Sequence, residues 1–285
     1  MSKTLFIVFL AASVFVACSP NNVTVDNSLQ RYFDSAGVKG SFAFFDNGQG
    51  HFTIYNLPRY KDSAYTPGAT FDIVQALVGL QRGVLKDDTS VYWKLVSYFD
   101  ANSNPGDAIG KIDTTGPPNF SLRRGFQMKG RINELMFGQL ATDIGKDTLK
   151  KWIDSLRYGN RDISGPIDSF WFDNHLKVTG DEQLGLIKRL YFDQLPFYNR
   201  SQKLVRGVMP SENNSAYRLV YKTGQTTNTD GHALGWVLGW VEENKHPYFF
   251  VINLESEDRT KDLGETGLHI VKNILKPMGF FEGKK

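Results

Sequence analysis

Side chains able to do chemistry are sparse in this sequence, and few are spaced for it. The histidines, His51, His175, His232, His246 and His269, show no H-x-x-x-H or similar ligand spacing. With one cysteine in 285 residues, a zinc cluster built on several thiolates is excluded, and no metal or cofactor is expected. Asp72 and Glu134 would form a carboxylate pair of the kind that cleaves glycosides. The plainer account is a helix N-terminal charge favoured by the dipole for Asp72 and a solvated helix residue for Glu134. Lys222-Thr223-Gly224 sets an ammonium and a hydroxyl at a strand end, but such a tripeptide also arises by chance. Trp236, Trp240, Tyr248, Phe249 and Phe250 read as sheet core rather than a ligand platform.

The one cysteine, Cys18, stands where a thiol has a use. Lys3 is the only charge before Asp26, and Leu5 to Ala17 is almost wholly apolar. A charged start with a short apolar run reads as a secretory signal, too short for a membrane span. It ends Val16-Ala17-Cys18-Ser19-Pro20, which resembles a bacterial lipobox, although Phe15 stands where leucine is usual. The expectation is a signal peptide over 1–17, lipid on Cys18, a polar tether over 18–27 and one domain over 28–285. Ser19 after the cysteine favours the outer membrane, facing the periplasm.

The domain must be built from elements that hydrophobic period predicts. Ser28–Ala36 reads as a first helix, and Gly40–Phe45 with His51–Leu57 as a hairpin. Thr70–Gly83 is a strongly apolar helix punctuated at its start by Pro67-Gly68. Arg131–Thr142, Asp147–Leu156 and Gly180–Leu190 are helical by period, and Asp87–Pro118 is irregular. From Ala216 the period turns to strands, Arg218–Thr223, Ala233–Glu242 and Tyr248–Leu254, before a last helix from about Gly264 to Met278. Strands at both ends with helices between predict an α+β domain with a five-stranded antiparallel sheet and a helical second lobe. A net charge of +3, from 33 basic and 30 acidic residues well mixed, leaves no footprint for nucleic acid.

Four segments in order carry a resemblance. They are Pro67-Gly68-Ala69-Thr70-Phe71-Asp72 leading to Gly79-Leu80-Gln81-Arg82-Gly83-Val84; Tyr158-Gly159-Asn160 with Phe170-Trp171; Lys222-Thr223-Gly224; and Gly235-Trp236-Val237-Leu238-Gly239-Trp240. Together they resemble the class D (oxacillinase-type) β-lactamases and related penicillin-binding and sensor domains. The resemblance covers nearly all of Asn27 to Phe281 and implies the β-lactamase/transpeptidase-like fold. It also implies a serine at the start of the buried helix with a lysine one turn later, carbamylated and acting as base. Those positions hold Ala69 and Asp72. The proton-shuttling serine of a Ser-x-Val element would fall at Ile132, and no serine occurs between Leu122 and Ser155. The arginine that grips the β-lactam carboxylate would fall near Thr266-Gly267, where there is none; Lys261 or Lys272 lacks its planar bidentate fork.

What remains implied is a ligand cleft of Tyr158, Asn160, Trp171, Lys222, Thr223 and Gly224, with Trp171 facing Asp72 and Asp72 pairing with Lys222. The resulting expectation is a pseudoenzyme that binds peptidoglycan peptide, a β-lactam or an envelope protein without turnover. One alternative is an active β-lactamase or D,D-peptidase with an unrecognised nucleophile; another is an enzyme using Asp72 and Glu134. Thr70 is a poor nucleophile, because one step along a helix turns its side chain by about 100° from the site.

Overall fold

The computed structural model describes residues 22–94 and 119–285. Cys18, the segment expected to be a signal peptide and most of the irregular stretch around Trp93 lie outside the described residues. Among the described residues no helix is long and apolar enough to cross a membrane.

One mixed sheet organises the chain. Its strands run in the order Val23–Val25, His51–Tyr55, Lys39–Asp46, His246–Ser256, Ala233–Glu243, Arg218–Thr227, Ser211–Asn213. The middle five are the expected antiparallel set from both chain ends. Seven strands rather than five result from two short edges of three residues each, too short to show a period. One edge corrects the tether: Val23-Thr24-Val25, β-branched throughout, pairs parallel to Phe52–Ile54.

Alternation along Ala233–Glu243 assigns the two faces. Val237 and Val241 join Phe33, Phe250, Ile252 and Ile270 beneath the helices Gln30–Ala36 and Leu263–Leu275. Trp236, Leu238 and Trp240 point the other way, into the larger core shared with the helical lobe. The helix Asp72–Arg82 lies within that larger core. Its residues from Asp72 to Leu80 are all buried, so it shows no polar face, and Gly83 stops it in the left-handed region at φ +75°.

Three helices escape the sequence pattern, the first being Leu57–Lys61, capped by Asn56 where the end of a strand was expected. Leu122–Gln127 is short, and Asn199–Val208 hides its inner face because a polar residue sits there. Gln202 is fully buried, accepting from the Leu195 N–H and donating to the Leu195 and Phe197 carbonyls. A buried glutamine satisfied by backbone does the work of a core residue but reads as polar in a periodic count.

Candidate active-site cleft

The cleft forms where the strand Arg218–Thr227 runs past the start of the buried helix. The turn Gly68–Phe71 carries Gly68 at φ +53°, in the left-handed region where a side chain would be strained. Gly224 is required by close approach: a Cβ there would lie 2.8 Å from both the Pro67 carbonyl oxygen and the Thr70 nitrogen. Gly224→Ala is therefore expected to cost about 1–3 kcal/mol, because backbone must move on one side. A lowered urea midpoint at unchanged m-value checks this.

The tight crossing exposes one methyl. Between Thr66 and Leu80, Ala69 is the residue that is not buried, and it lines a cleft of about 560 Å³. Phe126, Asn133, Lys222, Thr223 and Gly224 line the same cleft. On the strand, Val220 and Lys222 point toward the helical lobe, whereas Leu219 and Tyr221 pack on the opposite face, as the period of two requires.

Beneath Ala69 lies a buried charge pair. Lys222 Nζ is 2.8 Å from Asp72 Oδ2, with the two side chains 4% and 0% exposed. Asn133 Nδ2 donates to the same Oδ2 at 2.8 Å and to the Gly125 carbonyl at 3.2 Å. The Lys222 ammonium also lies 5.0 Å from the Phe126 ring centroid, a cation–π arrangement. Burial pushes the Asp72 carboxyl above its ordinary range, while Lys222 and then Asn133 pull it back toward the charged form. Two donors on one oxygen fit a carboxylate. Its other oxygen, Oδ1, is buried and has no partner among the described residues.

The expected pairing of Asp72 with Lys222 is thus present, but other site residues fall elsewhere. Ile132 does not reach the cleft; it packs with Phe120 and Met136 in a separate apolar cluster. Its neighbour Asn133 occupies the place opposite Asp72. The signal was legible: Asn133, Met136, Phe137, Leu140, Ala141 and Ile144 form the buried stripe of Arg131–Ile144, spaced three and four apart, with one polar member. Tyr158 is core, its ring on Phe71 and its hydroxyl donating to Gln183. Asn160 ties a loop, donating to the His175 carbonyl and accepting from the Asp162 and Lys177 N–H groups. Neither of these two residues lines the cleft.

Trp171 is also core, tilted against Phe71 and Phe172 and edge-on to Phe170. It does not line the cleft, and its buried indole Nε1–H has no acceptor among the described residues. The two threonine hydroxyls nearest Ala69 in the chain are engaged. Thr70 is fully buried, donating to the Pro67 carbonyl at 2.7 Å and accepting from Gln183 at 2.8 Å. Thr66 donates to Asn174. Lys272 is paired with Glu212 at 2.6 Å and takes no part.

This geometry, a sheet-edge Lys-Thr-Gly strand facing the N-terminus of a buried helix, can be set beside known proteins. The penicillin binding protein transpeptidase domain matches residues 38–278. The chain is 30% identical to β-lactamase OXA-48 of Klebsiella pneumoniae over 271 residues, 94% of this chain and 95% of that protein. It is 31% identical to the probable β-lactamase YbxI of Bacillus subtilis strain 168, over 84% of this chain and 81% of the relative. Among solved structures, the class D β-lactamase FUS-1 (OXA-85) of Fusobacterium nucleatum subsp. polymorphum superposes with TM-score 0.78 at 26% identity, covering 90% of this chain and 100% of that one. The protein therefore belongs to the transpeptidase-fold family of penicillin-binding proteins. Within that family its relatives place it with the class D β-lactamase-like members.

Proposed function

We propose that this protein is an envelope lipoprotein, anchored through Cys18, whose cleft binds an extended peptide without forming a covalent acyl intermediate. The observation that carries the reading is the Ala69 methyl at the mouth of the cleft, above an Asp72 held by Lys222 and Asn133. Alanine has no heteroatom to acylate, and a carboxylate already bonded to an ammonium is a weakened base. The unpartnered Trp171 indole fits the same account, since the resemblance puts the lysine position, here the shorter Asp72, opposite it.

Peptide binding is supported by the strand edge. Ser211–Asn213 pairs only with Arg218–Val220, and Pro210 accepts from Tyr221, so Lys222–Thr227 lack a strand partner on that side among the described residues. An extended chain can add to such an edge through main-chain hydrogen bonds. An adjoining cavity of about 580 Å³ shares Glu134, Phe172 and Gln225 with the first, giving room for several residues of ligand.

The test is incubation of the full chain with a fluorescent penicillin, read by intact mass. No adduct and no hydrolysis of a chromogenic cephalosporin are expected. A stoichiometric adduct would overturn this reading in favour of an active β-lactamase or D,D-peptidase with an unrecognised nucleophile, and hydrolysis without an adduct would favour the reading in which Asp72 and Glu134 are recruited. For the anchor, Cys18→Ser is expected to move the protein from the membrane to the soluble fraction; unchanged fractionation would remove the lipid.

A further inference from the structure

Each charged group that lines the cleft already has a partner within the protein, an opposite charge for four of the five and backbone carbonyls for Lys261. Five charged residues line it: Lys129, Glu134, Lys222, Lys261 and Asp262. Lys222 is paired with Asp72 at 2.8 Å. Lys129 is paired with Asp262 at 3.2 Å, linking the helical lobe to the start of the last helix. Glu134 is paired with Arg131 at 3.3 Å. Lys261 bends out of the cleft, donating to the Ala36 carbonyl at 2.6 Å and the Gly37 carbonyl at 3.3 Å, neither of which lines it. No arginine lines the cleft.

We infer that the cleft selects a ligand whose bound end is uncharged, an amide or ester, and that Asp72 and Asp262 set this preference by neutralising the two lysines that would otherwise attract a carboxylate. Binding a carboxylate at Lys222 would place two anions on one buried ammonium, and desolvation of the second would go uncompensated. An amide carbonyl needs only a hydrogen-bond donor, which Thr223 and the strand backbone supply. This inference rests on the cleft being a non-covalent peptide site and names the class of ligand it takes.

The experiment compares N-acetyl-D-alanyl-D-alanine with its C-terminal amide, by calorimetry on the full chain in detergent micelles. The unaltered protein is expected to bind the amide at least as tightly as the acid. Asp72→Asn frees the buried cation and should shift the preference toward the acid by about tenfold or more, the scale of one charge-assisted hydrogen bond. Asp262→Asn keeps a helix cap, since asparagine caps as well as aspartate, and frees Lys129. Its shift should be in the same direction but only about two- to fivefold, because that lysine is well exposed and screened. It keeps the test decisive if Asp72→Asn folds poorly.

A tenfold preference for the acid in the unaltered protein, or no shift in the folded variants, overturns the inference. If neither peptide binds, the strand-addition reading falls by itself, and the charge balance is then read with benzoate followed by NMR shifts. Benzoate binding to a freed-lysine variant and not to the unaltered protein supports the inference. Binding to both, or to neither, overturns it.

Discussion

Asp72→Ala is expected to lower the unfolding free energy by about 3–5 kcal/mol, because it leaves a buried ammonium without its counter-charge. Lys222 is 3% exposed and cannot turn to water without withdrawing from the core. Asn133 loses an acceptor in the same change, although its bond to the Gly125 carbonyl survives. Replacing both ends by apolar residues of similar volume, Asp72→Leu with Lys222→Met, should recover most or all of that loss. The double variant also removes the buried Oδ1 that lacks a partner, an orphan whose desolvation costs about 1–3 kcal/mol. Urea unfolding of the single and double variants reads both results. An Asp72→Ala variant within 1 kcal/mol of the unaltered protein, as a rough bound for an exposed pair, would mean that the pair is solvated.

The second expectation concerns acylation. Removing the nucleophile of a serine hydrolase costs on the order of 10⁶ in turnover, and removing the base costs nearly as much because the two act as a unit. Ala69→Ser by itself should therefore stay almost unreactive toward penicillins, since Asp72 is bound to Lys222. Ala69→Ser with Asp72→Lys restores both groups on one face of the helix. Two buried ammonium groups side by side depress one another's pKa, so one is held neutral and can act as base. Intact-mass analysis should show a covalent adduct in the double variant, formed at least about 10²-fold faster than in the single one, in keeping with the usual yield of a general base. Equal rates in the two variants would mean that position 72 does not serve the nucleophile. No adduct in either would point to the missing proton shuttle, and adding Asn133→Ser then tests that step directly. Asn133 is the right target rather than Ile132, because its amide is the group that meets Asp72.

Much of the site was legible before any coordinates. Ala69 and Lys222-Thr223-Gly224 line one cleft, and Asp72 pairs with Lys222 beside it. The five long strands and the principal helices also follow from period, since burial on one face of a strand or one stripe of a helix leaves its mark in the sequence. The two edge strands, the helices Leu57–Lys61, Leu122–Gln127 and Asn199–Val208, and Asn133 as the second partner of Asp72 did not follow from period. Three-residue strands are too short for a period, and a buried polar residue such as Gln202 is indistinguishable from a surface one until its hydrogen-bond partners are known.

The amino-acid sequence by itself determined what chemistry is missing: a methyl at position 69 cannot become a nucleophile in any conformation. It determined the class of fold as well, because ordered motifs and alternating strands leave few topologies. Only the tertiary structure decided that the cleft stays open above a neutral ion pair, that Tyr158, Asn160 and Trp171 stand behind it, and that each lysine at its wall is engaged. The reason is physical. Identity fixes which groups exist, whereas charge compensation and access to solvent depend on distances of a few ångströms between residues as far apart as Lys129 and Asp262 in the chain, and those are set by packing.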